Sequence, residues 1–396
     1  MIGRASFLRD AAALLSTASP RPEPPAVPPS MLGPGRAVAP YGQPSPFEAQ
    51  VVRRPADAVE LAYTPLQNQT GIVTPSGLCF ARNHAGVARL DPRRHRLLVD
   101  GLVQRPLVFS VADVLRFPSA SRIHFLECAG NGSSEWHGPQ AASVQFSHGL
   151  ISCCEWTGVP LRLLLEQSQP LSAAQWILAE GADGAAFDRS IPLAKALDDA
   201  LLVYGQNGEM LRPEQGYPLR LILPGYEGST NVKWLRRLTL GPRPFYTREE
   251  TAKYTELLPD GKARAFDFIM DAKSVIVFPS AGQRLPGAGF YEIRGFAWSG
   301  RGRIARVEVS LDGGGSWSDA TLGEPLLPRA FTRFTHDFVW DGRAASLQSR
   351  ATDETGYVQP TYKRLVAVRG FFSEYHNNAI QTWKLSPLGD VTNGGG

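Results

Sequence analysis

The sequence is poor in cysteine, with only four in 396 residues, which is too few for a disulfide scaffold in a chain of this length. No two of them are spaced as CxxC, so zinc ribbons and thioredoxin-type redox motifs are excluded. There is also no CxxCH motif, and the chain therefore lacks the signature for attaching a c-type haem.

Net charge and long apolar segments are lacking as well. A formal net charge of +4 is too small to indicate a nucleic-acid partner. No apolar run reaches the roughly 18 residues of a membrane span. Hydrophobic residues at 43% and charged residues at 20% instead predict a globular protein. Glycine (39) and proline (32) are abundant, which favours many short strands joined by turns.

Residues 1–46 differ in character from the rest of the chain. A basic stretch at 3–9 precedes a short apolar run at 11–15, as in an export signal. The order Arg-x-x-Phe-Leu-Arg is similar to a twin-arginine signal, although Ala5 stands where the second arginine belongs. An amphipathic N-terminal helix is the alternative. Ten prolines follow between Pro20 and Pro46 and predict an extended linker, so we expect a periplasmic protein.

Residues 47–263 mix strand and helix patterns, which predicts an α+β domain. The predicted strands are 96–99, 123–127 and 217–223, and the predicted helices are 160–167 and 192–202.

Residues 264–396 change to a pattern of strands without a convincing helix, which predicts an Ig-like β-sandwich. The predicted strands are 275–278, 291–297, 304–311, 331–340 and 347–351. Val307 and Val309 alternate with Arg306 and Glu308, which indicates one buried and one solvated face. A hairpin signal, Asp-Gly, follows at 312–313.

Two segments carry unusual chemistry. Cys128 ends a predicted strand and is followed by Ala129 and Gly130, small residues that let a bulky group approach the backbone. A lone cysteine is more often a buried apolar residue than a ligand. Arg82, between apolar residues and beside Asn83, offers a planar fork of donors for an oxyanion. A surface salt bridge is its alternative role.

Two further cations lie in the segment 217–234. Arg220 interrupts an apolar strand, where a buried charge needs a partner. Lys233 ends a loop of small residues that suits a phosphate. The Gly-x-x-x-x-Gly-Lys spacing of a P-loop is absent.

Taken together, these motifs resemble the sulfite oxidase family of molybdenum enzymes, from about residue 60 to the C-terminus. The segments that carry the resemblance are 80–84, 128–131, 180–183, 217–225, 232–234, 297–300 and 309–313. Within the family the chain is most similar to SoxC, the molybdenum subunit of sulfane dehydrogenase. That narrower resemblance rests on 146–149, 157–165, 233–237, 248–258 and 353–360.

The resemblance implies a molybdenum–molybdopterin cofactor, one per chain, with Cys128 as the protein ligand of the metal. A soft thiolate suits a metal that already carries dithiolene sulfurs. The implied cofactor-binding residues are Phe80, Ala81, Arg82, Asn83, His84, Cys128, Asp183, Gln215, Arg220, Asn231, Val232 and Lys233. Gln215 stands where relatives have histidine.

The resemblance also implies a catalytic set of Arg82, Cys128, Tyr254 and Arg369. In sulfite oxidases a tryptophan and a third arginine occupy the positions of Phe146 and Ser133. Loss of that cation should weaken binding of free sulfite and leave room for a larger substrate on a protein arm.

The activity implied is oxygen-atom transfer to sulfane sulfur on a SoxY-like carrier protein, in thiosulfate oxidation. Electrons would pass to a SoxD-like dihaem c-type cytochrome, because this chain has no haem motif of its own. The C-terminal domain would form a homodimer. The alternatives are a sulfite dehydrogenase of the same fold and a non-catalytic binding protein.

The adjacent cysteines at 153–154 and the charged run that begins at residue 248 are not assigned to the active site. Cys153 and Cys154 are adjacent, so a disulfide between them would be strained and we expect free thiols. Arg248, Glu249, Glu250 and Lys253 are expected to form a solvated face beside the predicted active-site tyrosine. A role in docking the carrier protein is the alternative.

Overall fold

The computed structural model describes residues 26–56 and 58–396, and the predicted export signal lies outside the described residues. Among the described residues, those up to Gln50 form one unit and Val51–Gly396 form a second, compact unit. The described part of the first unit is fully exposed and contains two short 3-10 turns, Pro29–Met31 and Pro46–Glu48. The predicted boundaries at 46 and 263 stay predictions.

The second unit is built mainly from strands. In chain order they are β1 (Leu61–Ala62), β2 (Ala81–Arg82), β3 (Arg96–Gly101), β4 (Leu107–Ser110), β5 (Ala120–Glu127), β6 (Ile151–Pro160), β7 (Trp176–Gly181), β8 (Asp188–Pro192), β9 (Leu201–Gln206), β10 (Glu209–Met210), β11 (Arg220–Ile222), β12 (Leu235–Gly241), β13 (Thr255–Leu257), β14 (Ala263–Ala265), β15 (Lys273–Phe278), β16 (Gly289–Trp298), β17 (Ile304–Ser310), β18 (Ser318–Asp319), β19 (Thr321–Gly323), β20 (Thr332–Trp340), β21 (Ala345–Asp353), β22 (Thr382–Leu385) and β23 (Val391–Gly395).

The α-helices of the described chain are short. They are α1 (Val111–Val114), α2 (Val144–His148), α3 (Leu161–Ser168), α4 (Leu193–Asp198), α5 (Arg248–Thr251) and α6 (Tyr362–Arg369). Helix α3 confirms the helix predicted at 160–167, because Leu161, Leu164 and Leu165 form its buried face. No helix among the described residues has the length and apolar character needed to cross a membrane.

The first half of this unit contains two five-stranded sheets. One has the order β10-β9-β6-β5, with β11 also paired to β9, and the other has the order β4-β3-β12-β7-β8. Only the β3–β12 pair within them is parallel. The α+β prediction is confirmed.

The second half contains two antiparallel sheets with the orders β15-β16-β20-β19 and β18-β17-β21-β22-β23. Fully buried residues from both sheets, such as Val275, Trp298, Val309 and Leu347, share one core. This arrangement agrees with the predicted Ig-like sandwich.

Three local predictions were wrong. The helix predicted at 192–202 ends at Asp198, because the following residues form β9, which pairs with β6 and β11 and buries its apolar side chains. The sandwich half does contain a helix, α6. Glu308 is buried rather than solvated, because Arg350 and Arg306 bind its carboxylate at 2.8 and 3.0 Å.

The two halves of the larger unit share both an apolar core and a buried ion pair. Phe125 and Cys153 of the first half pack in the same cluster as the sandwich core. Glu127, at the end of β5, accepts hydrogen bonds from Lys273 Nζ at 3.2 Å and Trp298 Nε1 at 2.7 Å. Both ionic side chains are almost fully buried, at 2% exposure for Lys273 and 1% for Glu127. The residue before Cys128 is therefore fixed to the sandwich.

We expect Glu127→Gln and Lys273→Met each to lower the free energy of unfolding by about 3–5 kcal/mol, since each leaves a buried charge without its partner. The double variant should lose less than the sum of the two single losses. Denaturant titration measures the effect, with the exposed Lys384→Met as the matched control. Additive losses would contradict a direct interaction between the two charges.

Candidate functional site

Cys128 lies at the start of a tight turn that follows β5. Its N–H donates to Leu150 O at 2.9 Å, and its carbonyl accepts from Asn131 N–H at 2.9 Å. The Asn131 side chain completes the turn, because its amide donates to Glu127 at 2.9 Å and its oxygen accepts from Leu150 N–H at 3.1 Å. The cysteine is partly exposed while the residues on either side of it are buried. The turn therefore holds the thiol at an opening in the protein.

Gly228 packs directly against this turn. A Cβ added there would lie 2.9 Å from Glu127 O and 3.2 Å from Cys128 Cα. The close approach requires glycine, because a Cβ contact below about 3.0 Å needs one partner to move. The loop 228–234, which supplies Asn231 and Lys233, is thereby placed beside the cysteine.

An inner pocket of about 630 Å³ opens beside Cys128. Twelve of the residues implied by the resemblance line it: Phe80, Arg82, Asn83, His84, Cys128, Asp183, Gln215, Arg220, Asn231, Val232, Lys233 and Tyr254. Ala81 does not line the pocket, but it forms β2 together with Arg82 and is buried. The structure thus brings together segments that are up to 174 residues apart in the sequence.

Arg220 and Lys233 are two cations of the inner pocket without an anionic partner. Neither makes an ion pair within 4 Å among the described residues, although Arg220 is 2% exposed. Arg220 donates to Gln215 O at 2.9 Å and Asn231 O at 3.2 Å, and its Nε has no partner among the described groups. Lys233 Nζ donates to Arg82 O and Glu214 O, both at 3.1 Å. Lys233 also donates to Asn83 Oδ1, and Arg220 to Gln215 Oε1 at 3.3 Å. All of these acceptors are neutral, so neither positive charge is neutralised by them.

The polar residues of the pocket are held by the backbone around them. Asp183 Oδ1 accepts from Phe187 N–H at 3.0 Å. Gln215 Nε2 donates to Phe80 O at 2.8 Å, which joins that segment to the loop before β11. Asn231 accepts from Leu223 N–H at 2.6 Å and donates to Glu227 O at 2.8 Å. Gln215 and Asn231 therefore shape the pocket through its backbone.

A wider outer pocket of about 1390 Å³ adjoins the inner one. Arg82, His84, Cys128 and Tyr254 line both pockets. The outer pocket is further lined by Leu61, Tyr63, Gly130, Ser133, His137, Leu150, Ala252, Lys253, Ser373, Glu374 and Tyr375. The two spaces meet at the cysteine.

Tyr254 is held in one orientation at this junction. Its hydroxyl lies 3.2 Å from His84 Nε2, and the Arg189 guanidinium stacks over its ring at 4.6 Å. Burial raises the pKa of Tyr254 well above its ordinary value, and the nearby Cys128 and Glu227 add to this effect. The phenol therefore stays protonated and can donate a hydrogen bond.

Arg369 is not among the residues that line either pocket. It is buried at the end of α6, where Nη1 contacts Glu256 at 2.7 Å and Asp267 at 2.8 Å, and Nη2 lies 4.0 Å from Asp271. Three carboxylates thus offset its charge. The structure does not place it where it could bind substrate directly.

The residue patterns missed a buried cluster behind the cysteine. The Glu227 carboxylate binds Arg189 at 2.8 Å and the ring Nε2 of His376 at 3.1 Å. The backbone N–H of His376 donates to Ala129 O at 2.8 Å. The cluster joins the turn of Cys128 to the C-terminal segment. Its members are 187 residues apart in the chain, so no local motif could reveal it.

Glu249 and Glu250 also differ from the prediction of a solvated face, because they are 2% and 3% exposed. Glu250 caps α5 by accepting from Thr247 N–H at 3.2 Å and binds Ser190 Oγ at 2.9 Å.

Comparison with known proteins relates this site to a family. Residues 84–248 match the model of the oxidoreductase molybdopterin binding domain, and residues 265–383 match that of the Mo-co oxidoreductase dimerisation domain. A chain of the crystal structure of sulfane dehydrogenase SoxCD from Paracoccus pantotrophus is 46% identical, with a TM-score of 0.91 over 93% of this chain and 97% of that one. The chain belongs to the sulfite oxidase family of molybdenum enzymes.

Sulfite oxidases of animals are more distant relatives. The human mitochondrial enzyme is 35% identical over 75% of this chain and 59% of its own length. The chicken enzyme is 34% identical over 73% of this chain and 68% of its own length. The chain thus spans about 60% of the human enzyme that it matches.

The inner pocket fits the molybdenum cofactor of this family. Arg220 and Lys233 would hold its phosphate, since both are cations without a counter-ion in the described chain. Asp183 would accept hydrogen bonds from the pterin ring. Burial raises the pKa of the Cys128 thiol, so the thiolate is favoured only when a metal takes up its charge. These assignments remain predictions.

Gly228→Ala tests how the cysteine is positioned. The added methyl group would press on the Cys128 turn at a cost of about 1–3 kcal/mol, which we expect to weaken cofactor binding roughly tenfold and so to lower cofactor occupancy. Molybdenum analysis of the purified protein measures the occupancy. Gly287→Ala is the matched control, because nothing lies within 4 Å of its added Cβ. Full loading of Gly228→Ala would contradict the close packing.

Lys233 gives a pH-dependent test. Burial and the charge of Arg220 lower the pKa of Lys233 from 10.5 to about 7 in the cofactor-free protein. Between these values the unfolded chain binds more protons, so the free energy of unfolding should rise with pH, by at most about 1.4 kcal/mol per unit.

Denaturant titration of cofactor-free protein at several pH values measures this slope. The Lys233→Met variant should lose this pH dependence. The control variant Lys262→Met should keep it, because the side chain of Lys262 is 80% exposed. An unchanged slope in Lys233→Met would show that the lysine is not the titrating group.

Proposed function

We propose that this chain is the molybdenum subunit of a sulfane dehydrogenase. It would oxidise sulfane sulfur attached to a SoxY-like carrier protein and pass the electrons to a SoxD-like dihaem c-type cytochrome, in thiosulfate oxidation. The observation that carries the proposal is the wide outer pocket at Cys128, where the exposed Ser133 stands in place of a cation. Such a pocket suits a substrate that arrives on a protein arm. The similarity to a chain of SoxCD supports the same choice.

The mouth of the outer pocket has features of a protein-docking surface. Phe371 and Phe372 are 50% and 78% exposed. The ring of His137, which lines the pocket, lies 5.0 Å from that of Phe371. Exposed aromatic residues beside a functional pocket are typical of protein-binding surfaces. A carrier protein docked here would bring its sulfur to the junction of the two pockets.

The residues that line both pockets would have different chemical roles. When bound, the molybdenum cofactor would supply oxygen-atom transfer and accept two electrons. Arg82 would stabilise negative charge on the substrate oxygens, because its only ion-pair partner in the described chain is the exposed Glu60, at 3.5 Å. Tyr254 would donate a hydrogen bond to a substrate oxygen, with His84 Nε2 as its resting partner. Arg369 would act indirectly, by fixing the segment that carries Ser373 and Tyr375.

The remaining assignments complete the proposal. The chain would be exported to the periplasm through a twin-arginine-like route and would form a homodimer through its C-terminal domain. The match to the dimerisation domain supports the second of these statements.

Sulfite dehydrogenase is the second candidate function. Arg82 and Lys253 both line the outer pocket, and two cations suit a free dianion. Turnover of carrier-bound sulfane with a c-type cytochrome, measured against turnover of free sulfite, separates the two functions. Preference for the carrier-bound form supports the proposal, and preference for free sulfite overturns it. A purified protein without molybdenum would instead favour a non-catalytic binding protein.

Ser133→Arg provides a sharper test of specificity. A cation placed there should raise kcat/KM for free sulfite about tenfold through charge attraction, and it should lower kcat/KM for the carrier-bound substrate by narrowing the pocket. Ser172→Arg, an exposed serine that lines neither pocket, is the matched control. Equal effects of both variants, or none, would show that position 133 does not set specificity.

A further inference from the structure

Two cysteines outside the catalytic set are in contact beneath the inner pocket. Cys79 Sγ lies 3.1 Å from Cys154 Sγ, although the residues are 75 positions apart. Their exposed fractions are 1% and 0%. Cys79 directly precedes Phe80 of the inner pocket, and Cys154 lies in β6, the partner strand of β5. The pair therefore connects two segments that shape the cofactor site.

The local structure selects this pair of sulfurs. Cys153 and Cys154 point to opposite faces of β6, as neighbouring strand residues must. Cys153 packs in the sandwich core, where its sulfur accepts a weak hydrogen bond from Phe331 N–H at 3.5 Å. Gln206, on the neighbouring strand β9, donates from Nε2 to Cys79 at 3.2 Å and to Cys154 at 3.1 Å. One amide thus holds both sulfurs side by side.

The surroundings act in opposite directions on the pKa values of the two thiols. Burial opposes ionisation of Cys154, but hydrogen bonds from Cys79, Gln206 and Asn207 and the charge of Arg220 lower its pKa. Burial and the neighbouring Cys154 raise the pKa of Cys79. One nucleophilic sulfur beside one protonated thiol is the arrangement from which a disulfide forms after oxidation.

A separate pocket lies near Cys79. Its thiol faces the carbonyl oxygens of Thr74 at 3.6 Å and Pro75 at 3.5 Å. The same two residues line a separate pocket of about 360 Å³. Thr74 and Pro75 thus contact the Cys79 thiol and also line this pocket, which shares no lining residue with the two active-site pockets.

We propose that Cys79 and Cys154 are a peroxide-sensitive redox pair that closes to a disulfide within the folded enzyme. The Cys154 thiolate attacks one oxygen of hydrogen peroxide, the O–O bond breaks, and a sulfenic acid and hydroxide form. The Cys79 thiol then attacks that sulfur, releases its proton and displaces water. In total two thiols lose two electrons and two protons, and one peroxide becomes two waters. The inference does not depend on the proposed substrate.

The bond would change how firmly the cofactor site is held. It would tie the segment that enters Phe80–His84 to the β5–β6 pair, whose strand β5 ends directly before Cys128. The sulfurs need to approach by about 1 Å, which rotations about the side-chain bonds can supply. A cross-link across 75 positions restricts the unfolded chain strongly. We expect the oxidised holoenzyme to melt about 5 °C higher than the reduced one and to lose molybdenum more slowly.

The experiment treats reduced holoenzyme with hydrogen peroxide, blocks free thiols in denaturant and maps the digested peptides by mass spectrometry. We expect a peptide pair joined through Cys79 and Cys154, released by reductant, with Cys153 still alkylated. Recovery of both cysteines as alkylated thiols after treatment would overturn the proposal. So would sulfinic acid at either position without any cross-linked peptide.

Three variants serve as controls. Cys153→Ala should still form the cross-link, whereas Cys79→Ser and Cys154→Ser should not form it. Each serine variant is first compared with the parent protein under reducing conditions, so that a folding defect is detected by its lower Tm. A peroxide-induced rise in Tm that persists in both serine variants would overturn the link between the disulfide and stability.

Discussion

The buried contact between Glu127 and Lys273 is the constraint on which the geometry of the active-site region depends. Glu127 ends β5, and the next residue is Cys128, so its position sets where the thiol emerges. Lys273 Nζ also donates to Asn131 O at 3.1 Å, and Trp298 donates to the same carboxylate. The turn of the cysteine is therefore bound at both ends to strands of the sandwich. A change in the way the halves pack would move the thiol directly.

The distribution of buried charge divides the cations of the protein into two groups. Arg189 and Arg369 are each paired with two or more carboxylates and have structural roles. Arg189 stacks on the ring of Tyr254, and Arg369 binds Glu256, which also binds Ser373. Arg220 and Lys233 meet backbone carbonyls instead. Their charges are therefore free to attract an anionic group. Residue type alone does not distinguish the two groups, because only the folded chain shows which cations have already been neutralised.

Much of the fold and of the inner pocket could be predicted from the sequence, because the signals were local. Phe80 to His84 and the residues around Cys128 are short motifs whose members stay together after folding. Arg369 showed the limit of that reasoning. The family resemblance that implied its role gave no information about Glu256 and Asp267, which lie more than 100 positions earlier and bind it. Strand β9 was missed for a related reason, since pairing with β6 and β11 outweighs the helical pattern at 192–202.

The apolar core that spans both halves has a consequence for how such a chain can vary. Phe125 and Cys153 lie in the same cluster as Trp298 and Phe331, and the Phe125 N–H donates to Arg329 O at 2.9 Å. An exchange of sandwiches between relatives would place unmatched side chains against β5 and β6. Recombination at the boundary between the two halves is therefore expected to destabilise the protein. Substitutions in the part of the core from one half are expected to require matching substitutions in the other half. The two halves are expected to be inherited as a single block.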